Sequence, residues 1–216
     1  MKVFDCVMVN KEPDLDLLQA RFTEYADIPE VIHVIAEAVA DHYGSPKPLW
    51  FWESPLAGQW RGKWNHVRVE ASELPAGASP KIRKDALREY LAHGVAGESE
   101  DIVLHGAIDE IPARWVIAEL LEGKIQLPAA LQMRWCAYTP ELVHPLPWKG
   151  TVAQWWQMTG SFSGLRERRT DLPSVLDAGT RLSMMNEEPR DKHPDGHALW
   201  DAEIDDTYPR WVQGRL

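Results

Sequence analysis

Apolar residues in the first half of the chain alternate between strand-like runs and helical spacing. The run at 3–9 is apolar apart from one Asp and the Cys, and apolar side chains three and four apart follow at 14–25. A second apolar run at 30–38 and an alternating segment at 65–70 predict two more strands, and a helix follows at 79–93. Strands separated by such helices are typical of an α/β domain with a mainly parallel central sheet and helices on both faces.

Two adjacent acidic residues follow the next predicted strand. The apolar run that starts at 101 predicts a buried strand, and Asp109 and Glu110 come after its end. Pro112 is predicted to lie in the first turn of a helix that continues to about residue 122. In open α/β sheets, ligands bind at the carboxyl ends of the strands. The pattern therefore predicts that both carboxylates lie at a ligand-binding edge.

The second half of the chain is less regular. Trp-containing runs at 127–138 and 149–158 predict strands, and 160–169 predicts a short basic helix or loop. The segment 172–185 contains Asp177-Ala178-Gly179, a typical turn sequence. With 216 residues in total, the pattern predicts a single domain with one substantial core over 1–216.

Composition narrows the functional classes. A net charge of −10 argues against a broad surface for the nucleic-acid backbone, because phosphate binding needs clustered Lys and Arg. Cys6 and Cys136 each lie in an apolar run, which predicts two buried thiols and a reducing compartment. The N-terminus lacks the apolar core of a secretory signal, and no apolar stretch is long enough to span a bilayer. We expect a cytoplasmic protein without a membrane partner.

Nine short phrases, kept in order from residue 4 to about 185, resemble glycosyltransferase family 17, the family of β-1,4 N-acetylglucosaminyltransferases. The phrases are FDC, DLLQARFTEY, VIAEA, GSPKPLWF, IDEIP, ALQMRWCAY, WKGT, GLRERR and DAGTRLS. Each phrase alone is weak, but the ordered set is specific. The short length and the lack of a membrane anchor suggest a bacterial or phage-type member.

The resemblance implies a GT-A-like fold and an inverting glycosyltransferase. About 1–125 would bind the nucleotide-sugar donor, and about 126–216 would bind the acceptor. The sugar would be GlcNAc, and the acceptor a hydroxyl of a glycan, a protein or a small molecule. In this family an Asp-x-Asp at a strand end holds a divalent cation, Mn²⁺ or Mg²⁺, and the donor diphosphate. Such an ion neutralises the charge that grows on the leaving phosphate oxygens.

The main departure from the family motif is Ala107, which stands in place of the first Asp and leaves only Asp109 and Glu110. Three alternatives follow. Asp109 binds the metal with another ligand, for which His193 or His197 is a candidate; or the site works without a tightly bound metal; or activity has been lost. In the first case the donor diphosphate would supply the missing oxygens, so cation and donor would bind together. The structural alternative is that both carboxylates only complement the following helix.

Further site residues follow from the same resemblance. Glu37, at a strand end, would contact the donor base or ribose, and Lys84 and Asp85 resemble an Arg-Asn pair of the family that contacts the donor. Asp177 would lie on the acceptor side and take the proton of the acceptor hydroxyl. Thr180-Arg181 stand where the family often has Trp-His. Each residue also has a structural interpretation, as a solvated strand end, a solvent-facing helix residue or a turn former.

Two hypotheses from different classes remain open. The first is the inverting glycosyltransferase, and the second is a catalytically reduced relative that binds a nucleotide or a carbohydrate, as Ala107 and Arg181 suggest. Sugar transfer to a modified nucleic-acid base is a third idea, against which the acidic composition counts. One or two members of two tryptophan groups are expected to contact the acceptor, since flat aromatic faces stack on sugar rings. These are Trp50, Trp52, Trp60, Trp64, Trp148, Trp155 and Trp156.

Overall fold

A computed structural model describes residues 1–183, 197, 199–201 and 208–213 of the chain. The strands in chain order are β1 (Val3–Val9), β2 (Val31–Ala38), β3 (Trp64–Val69), β4 (Ile102–His105), β5 (Glu110–Pro112), β6 (Ala129–Ala137), β7 (Leu142–Val143), β8 (Trp148–Trp155), β9 (Ser174–Val175), β10 (Gly179–Ser183) and β11 (Trp200–Asp201). The α-helices are α1 (Asp14–Glu24), α2 (Pro55–Gln59), α3 (Pro80–Glu89), α4 (Arg114–Leu121), α5 (Phe162–Arg168) and α6 (Arg210–Gln213). No helix within these described ranges has the length and apolar character to cross a bilayer.

The central sheet has the strand order β3-β2-β1-β4-β8-β6. The first four strands are parallel, β8 runs antiparallel to β4, and β6 runs antiparallel to β8. The predicted α/β fold is confirmed, but the expectation of a mainly parallel sheet holds only for its N-terminal half. The connection from β6 to β8 contains no helical crossover, so these two neighbouring strands pair antiparallel.

Helices cover both faces of the sheet, as predicted. Phe4 and Cys6 of β1 pack in a cluster that includes Leu87 of α3 and Phe162 of α5. The alternate side chains of β1 point to the opposite face, where Val7 packs in a cluster with residues of α1. Because both faces of the central strand are buried, an almost entirely apolar run forms it.

The segment between β4 and α4 differs from the prediction. Pro112 does not open a helix: it ends the short strand β5, and α4 begins at Arg114 with Ala113 as its N-cap. β5 pairs antiparallel with β10, so that Glu110 lies opposite Arg181. This pairing joins segments about seventy residues apart, and local hydrophobic periodicity carries no signal of it. Glu110 therefore begins a strand of a second small sheet, formed by β5, β6, β7, β10 and β11, and Asp109 directly precedes it.

Candidate functional site

Arg21 of α1 fixes the loop that carries the acidic pair. Its fully buried guanidinium forms a two-pronged ion pair with Asp5 of β1, with an Nε–Oδ2 distance of 2.9 Å. The same side chain donates hydrogen bonds to the backbone carbonyls of Ala107 and Ile108, both at 3.2 Å, and of Glu110. Burial alone would raise the pKa of Asp5, but Arg21 holds it well below its usual range. An internal ion pair thus anchors the site loop to the central strand.

Glu110 is a fully buried carboxylate whose two oxygens are occupied by protein groups. It accepts two hydrogen bonds from Arg166, a 2.7 Å bond from Trp148 Nε1 and a 3.0 Å bond from the backbone N–H of Ala107. The hydroxyl of Thr151 adds a bond of 3.3 Å. Burial raises the pKa of Glu110, but Arg166 and Trp148 outweigh this effect and lower it to about 2. Glu110 is therefore charged at neutral pH.

Two glycines make room for the Glu110 carboxylate. A Cβ atom at Gly106 would lie 2.2 Å from Thr151 Oγ1 and 2.8 Å from Glu110 Oε2. A Cβ atom at Gly150 would lie 2.8 Å from the Glu110 carboxyl carbon and 2.7 Å from Trp148 Cδ1. Any larger residue at either position would displace these groups.

Asp109 has the opposite environment to its neighbour. Its side chain is 18% exposed and accepts one hydrogen bond from Arg181 Nε at 3.1 Å. The Arg181 guanidinium lies over the rings of Trp148, 3.7 Å from the centroid, and Trp135, at 4.8 Å. Burial raises the pKa of Asp109, the charge of Glu110 raises it further, and Arg181 offsets only part of the effect. Asp109 is the carboxyl group of the pair that is partly open to solvent.

Positively charged side chains surround the acidic pair. We define the cationic cluster as Lys84, Arg88, Arg166, Arg169 and Arg181. The first two lie one turn apart on α3, the third lies on α5, the fourth directly follows α5, and the last lies on β10. Arg169 also faces the ring of Trp148, 5.7 Å from its centroid.

Helices α3 and α5 are docked so that their cations meet. The Glu89 carboxylate at the end of α3 accepts hydrogen bonds from the backbone N–H groups of Phe162, at 3.1 Å, and Ser163, at 2.8 Å, in the first turn of α5. Ser161 caps the same helix by accepting from Gly164 N–H at 3.0 Å. These contacts hold the N-terminus of α5 on α3 and place Arg166 beside the Lys84 and Arg88 face.

Asp85 is paired with neighbouring cations of α3. It accepts from Lys81 Nζ at 2.7 Å and from Arg88 Nη1 at 2.5 Å. Arg88 is 9% exposed, and its Nε is buried without a hydrogen-bond partner among the described residues. No ion pair of the Lys84 ammonium is formed within the described part of the chain.

Glu37 lies at the same carboxyl edge as Asp109, because β2 and β4 both run parallel to β1. Its fully buried carboxylate accepts from the backbone N–H groups of Phe51, at 3.2 Å, and Trp52, at 3.4 Å. Lys47 Nζ lies 3.5 Å away and His66 Nε2 lies 3.4 Å away. These contacts fix the segment that follows β2, and a direct contact of Glu37 with a ligand would require it to give up some of them.

Asp177 lies away from the acidic pair. It is exposed, adopts the left-handed φ of 50°, and lies in the turn before β10, four residues before Arg181. Arg181 is the third residue of β10, so the turn and the start of this strand lie between the two positions. Asp177 lines two neighbouring cavities of about 210 and 260 Å³, whose shared wall includes Arg134.

The structure describes only one of the two candidate histidine ligands, His197. His193 lies outside the described residues. The ring of His197 contacts that of His144, with centroids 4.9 Å apart, and His144 in turn stacks on Trp135 at 4.1 Å. His197 thus packs in an aromatic group with His144 and Trp135, and the Arg181 guanidinium that contacts Asp109 lies over the Trp135 ring.

The residues present do not fit the divalent-cation site that the resemblance implies. Asp109 faces Arg181, both oxygens of Glu110 are engaged by Arg166 and Trp148, and Ala107 supplies no side-chain ligand. Among the residues with described placement, no group of three or more His, Cys, Asp or Glu side chains is arranged to hold a metal ion. Hard cations favour several oxygen ligands, and here one partly exposed carboxylate is all that the described site offers.

Sequence reasoning identified the acidic pair but not its partners. Arg21, Arg166 and Arg181 are separated from the pair by about fifty-six to eighty-nine residues along the chain. Arg166 lies in the GLRERR phrase, which carried family resemblance but no assigned role. Only the tertiary pairing of β5 with β10 and of α3 with α5 reveals these contacts.

Comparison with known families decides where this chain belongs. Residues 1–185 match the model of glycosyltransferase family 17. The chain belongs to this family. The match covers all of the strand-end loop, both cationic helices and β10, so every residue of the site described above lies within it. Comparison with curated proteins finds no match.

Solved structures give weaker likenesses. An active-site mutant of LgtC is 14% identical, with 80% of this chain and 65% of that chain covered and a TM-score of 0.41. The galactosyltransferase LgtC in complex with donor and acceptor sugar analogs is 13% identical, with 81% and 67% covered and a TM-score of 0.41. The Francisella tularensis 2-C-methyl-D-erythritol 4-phosphate cytidylyltransferase is 11% identical, with 90% and 96% covered and the same TM-score of 0.41. The chain thus spans about two thirds of the length of the LgtC chains.

Proposed function

We propose that this protein is an inverting glycosyltransferase that moves a sugar, GlcNAc by family resemblance, from a nucleotide-sugar donor to a hydroxyl acceptor. The observation that carries the proposal is the family match over residues 1–185. The position of Asp109 and Glu110 supports it, since they follow a parallel strand at the carboxyl edge of an α/β sheet. The acceptor is a glycan, a protein or a small molecule.

In the proposed reaction, the acceptor oxygen forms a bond to the anomeric carbon while the bond from that carbon to the diphosphate oxygen breaks. The acceptor proton moves to a carboxylate, and the nucleoside diphosphate leaves with the bonding electrons. The environment of Asp109 supports its role as this base, because burial and the charge of Glu110 raise its pKa toward the working pH. Glu110, whose pKa is lowered, remains an ionised partner of Arg166.

Asp177 was the first candidate for the base from the sequence, and its location supports a place on the acceptor side. It lines the cavities of about 210 and 260 Å³, and Trp135 and His144 line the first of them. Such aromatic faces suit a sugar ring. We assign Asp177 to acceptor contact, together with the C-terminal half of the chain, and the N-terminal half to the donor.

The donor-side residues are Lys84, Asp85 and Glu37. Lys84 would contact the diphosphate directly, and Asp85 would hold Arg88 in place through its 2.5 Å hydrogen bond. Glu37 would act through the segment 47–52 that its carboxylate organises. All three lie at the edge where the parallel strands β1, β2 and β4 end or where α3 packs on them.

The direct test is a nucleotide-sugar panel. Purified protein is incubated with UDP-, GDP-, CDP- and TDP-linked sugars, with and without simple sugar acceptors, and release of nucleoside diphosphate is measured. We expect release with one donor class, and faster release when an acceptor is present. Asp177→Asn should raise the acceptor KM while leaving acceptor-independent donor hydrolysis unchanged.

The engagement of both motif carboxylates by arginines favours one alternative, a relative that binds nucleotide or carbohydrate without turnover. Asp109 is paired with Arg181 and Glu110 with Arg166. This alternative predicts that a nucleotide-sugar raises the melting temperature of the protein but that no nucleoside diphosphate is released with any acceptor. Release above the rate of a boiled-protein control would exclude it.

A further inference from the structure

The cationic cluster at the strand-end loop has a composition that is unusual for this chain. The whole protein has a net charge of −10. Around the acidic pair, however, the cluster brings five cations together, and its ion pairs among the described residues involve three carboxylates, Asp85, Asp109 and Glu110. A locally positive site in an acidic protein marks a place where an anion is favoured.

We propose that Lys84 and Arg88, supported by Arg166, bind the donor diphosphate in place of a divalent cation at Asp109. This inference rests on the proposed function, because it takes a nucleotide-sugar as the ligand. It concerns a different question, namely which groups neutralise the leaving phosphates. In this proposal, side chains on α3 and α5 neutralise these phosphates, and an Asp-x-Asp metal site does not.

The first argument is that like charges are held together. Lys84 and Arg88 are one helical turn apart on α3, and α5 brings Arg166 against the same face. Desolvation lowers the pKa of Lys84, and the charges of Arg88 and Arg166 lower it further. Desolvation and the charge of Arg166 also lower the pKa of Arg88, whose ion-pair partner among the described residues is Asp85. A bound polyanion would relieve this repulsion.

The second argument is unused hydrogen-bonding capacity. Arg88 Nε is buried without a hydrogen-bond partner among the described residues. The Lys84 side chain is exposed, and its ammonium has three donors and no ion pair within the described ranges. An unsatisfied buried donor is costly, so such a group in a native site calls for an acceptor. Phosphate oxygens are acceptors that suit both guanidinium and ammonium groups.

The buried side chain of His105 adds no positive charge to this site. Its ring is buried beside Phe162, with centroids 5.1 Å apart. Burial, and then the charges of Arg88 and Arg166, lower its pKa to about 3, so the imidazole is neutral at neutral pH. The positive charge of the site therefore comes from its Lys and Arg side chains and not from His105.

The same charges act against a cation at Asp109. Arg181 already occupies this carboxylate at 3.1 Å, and Arg166 neutralises Glu110. A divalent ion would have to displace Arg181 and sit among the remaining cations with a single protein carboxylate. Ala107 stands in place of the first Asp of the motif. This agrees with a site in which Lys and Arg side chains, rather than a metal ion, neutralise the donor diphosphate.

Calorimetry with inorganic pyrophosphate tests the inference. The full chain is titrated with pyrophosphate in EDTA, and again in Mn²⁺ without chelator. We expect one site in EDTA, weakened by added salt. Lys84→Gln and Arg88→Gln should each weaken binding at least about tenfold, the usual effect of losing a hydrogen bond to a charged group. In Arg88→Gln, Asp85 keeps its partner Lys81, and the melting temperature shows whether the variant is folded.

Lys81→Gln is the matched control, because it removes one positive charge from the same helix at a side chain that is 75% exposed. It should change pyrophosphate affinity by less than about twofold. Binding that needs Mn²⁺ and is lost in Asp109→Asn would overturn the inference, as would binding that neither Lys84→Gln nor Arg88→Gln affects. Metal-free pyrophosphate binding without turnover of any donor would instead contradict the proposed function alone. Turnover that EDTA abolishes and Mn²⁺ restores would contradict this inference alone.

Discussion

Two adjacent carboxylates in this protein have environments that drive their pKa values apart. Glu110 is fully buried, and Arg166 and Trp148 lower its pKa to about 2. Asp109, one residue earlier, has a raised pKa because burial and the Glu110 charge outweigh the single contact with Arg181. Such a separation is how one site obtains both a permanent charge and a proton acceptor.

Asp109→Asn separates the two roles. It keeps the size of the side chain but removes the proton acceptor, so donor turnover in the presence of acceptor should fall by about 10²-fold or more. Because the folded state raises the pKa of Asp109, its ionised form is disfavoured, and the neutral Asn should leave the free energy of unfolding at pH 7 unchanged or slightly higher. Steady-state kinetics and chemical denaturation check both parts. Unchanged turnover would remove Asp109 from the mechanism.

Glu110→Gln should destabilise the protein in a pH-dependent way. The substitution leaves Arg166 buried without its charge partner, which costs about 3–5 kcal/mol. Since the pKa of Glu110 falls from an ordinary 4.5 to about 2 on folding, its contribution is complete above pH 4.5 and is lost as pH falls toward 2.

The measurement for Glu110 is the free energy of unfolding of both proteins from pH 7 to pH 2.5. The difference between them should shrink steadily below pH 4.5. Glu167→Gln, a neighbouring carboxylate that is 72% exposed, serves as the control and should change stability little at any pH. A difference that stays constant on acidification would show that Glu110 does not titrate as described.

At the scale of elements, the loop between β4 and β5 depends on close packing against β8. Gly106→Ala would place a methyl group 2.2 Å from Thr151 Oγ1 and 2.8 Å from Glu110 Oε2. We expect a loss of about 1–3 kcal/mol from overpacking and a fall in turnover, because Glu110 moves away from Arg166. Gly58→Ala, where a Cβ would meet no atom within 4 Å, is the control and should do neither.

The contact between α1 and this loop gives a second prediction at the same scale. Arg21→Met removes the guanidinium that joins Asp5 to three loop carbonyls, and leaves Asp5 as a buried charge. The free energy of unfolding should fall by about 3–5 kcal/mol. Adding Asp5→Asn to this variant should recover part of the stability, but not the turnover, because the loop remains unanchored. Full stability in the single variant would show that the ion pair contributes nothing.

The sequence predicts the N-terminal elements well because their signals are local. The strand predicted at 3–9 coincides with β1, and α1, β2 and β3 lie within one residue of their predicted starts and ends. These segments are central strands buried on both faces or amphipathic helices. In such elements the spacing of apolar residues follows directly from which side chains are buried. The buried, free state of Cys6 and Cys136 is confirmed for the same reason.

In the C-terminal half, local hydrophobic periodicity does not predict how the strands pair. Pairing between distant segments determines β5 and β10, and β6 belongs to the main sheet at its start and to the second sheet at its end. The sequence pattern predicts that the acidic pair lies at the ligand-binding edge of the sheet. It marks Arg181 only as a departure from the family pattern. Its contact with Asp109 depends on the β5–β10 register, which no periodicity encodes.

Over the whole molecule, charge is distributed unevenly in a way that favours the proposed reaction. The chain has an excess of ten negative charges, yet its cations converge where β4 ends, on the edge that nucleotide ligands use in α/β sheets. In this proposal, a donor diphosphate bound at this edge would lie beside Lys84 and Arg88, where positive charge favours it. The cavity beside Asp177 is lined by aromatic side chains, one of which, Trp135, also contacts the Arg181 guanidinium.

Product analysis tests the central claim most directly. The protein is incubated with the donor identified from the panel and an acceptor sugar, and the product is examined by mass spectrometry and by the proton coupling at its new anomeric centre. The account predicts a mass increase of one sugar residue and an anomeric configuration opposite to that of the donor, both absent in Asp109→Asn. Retention of configuration, or no transfer by folded protein that binds the donor, would contradict it.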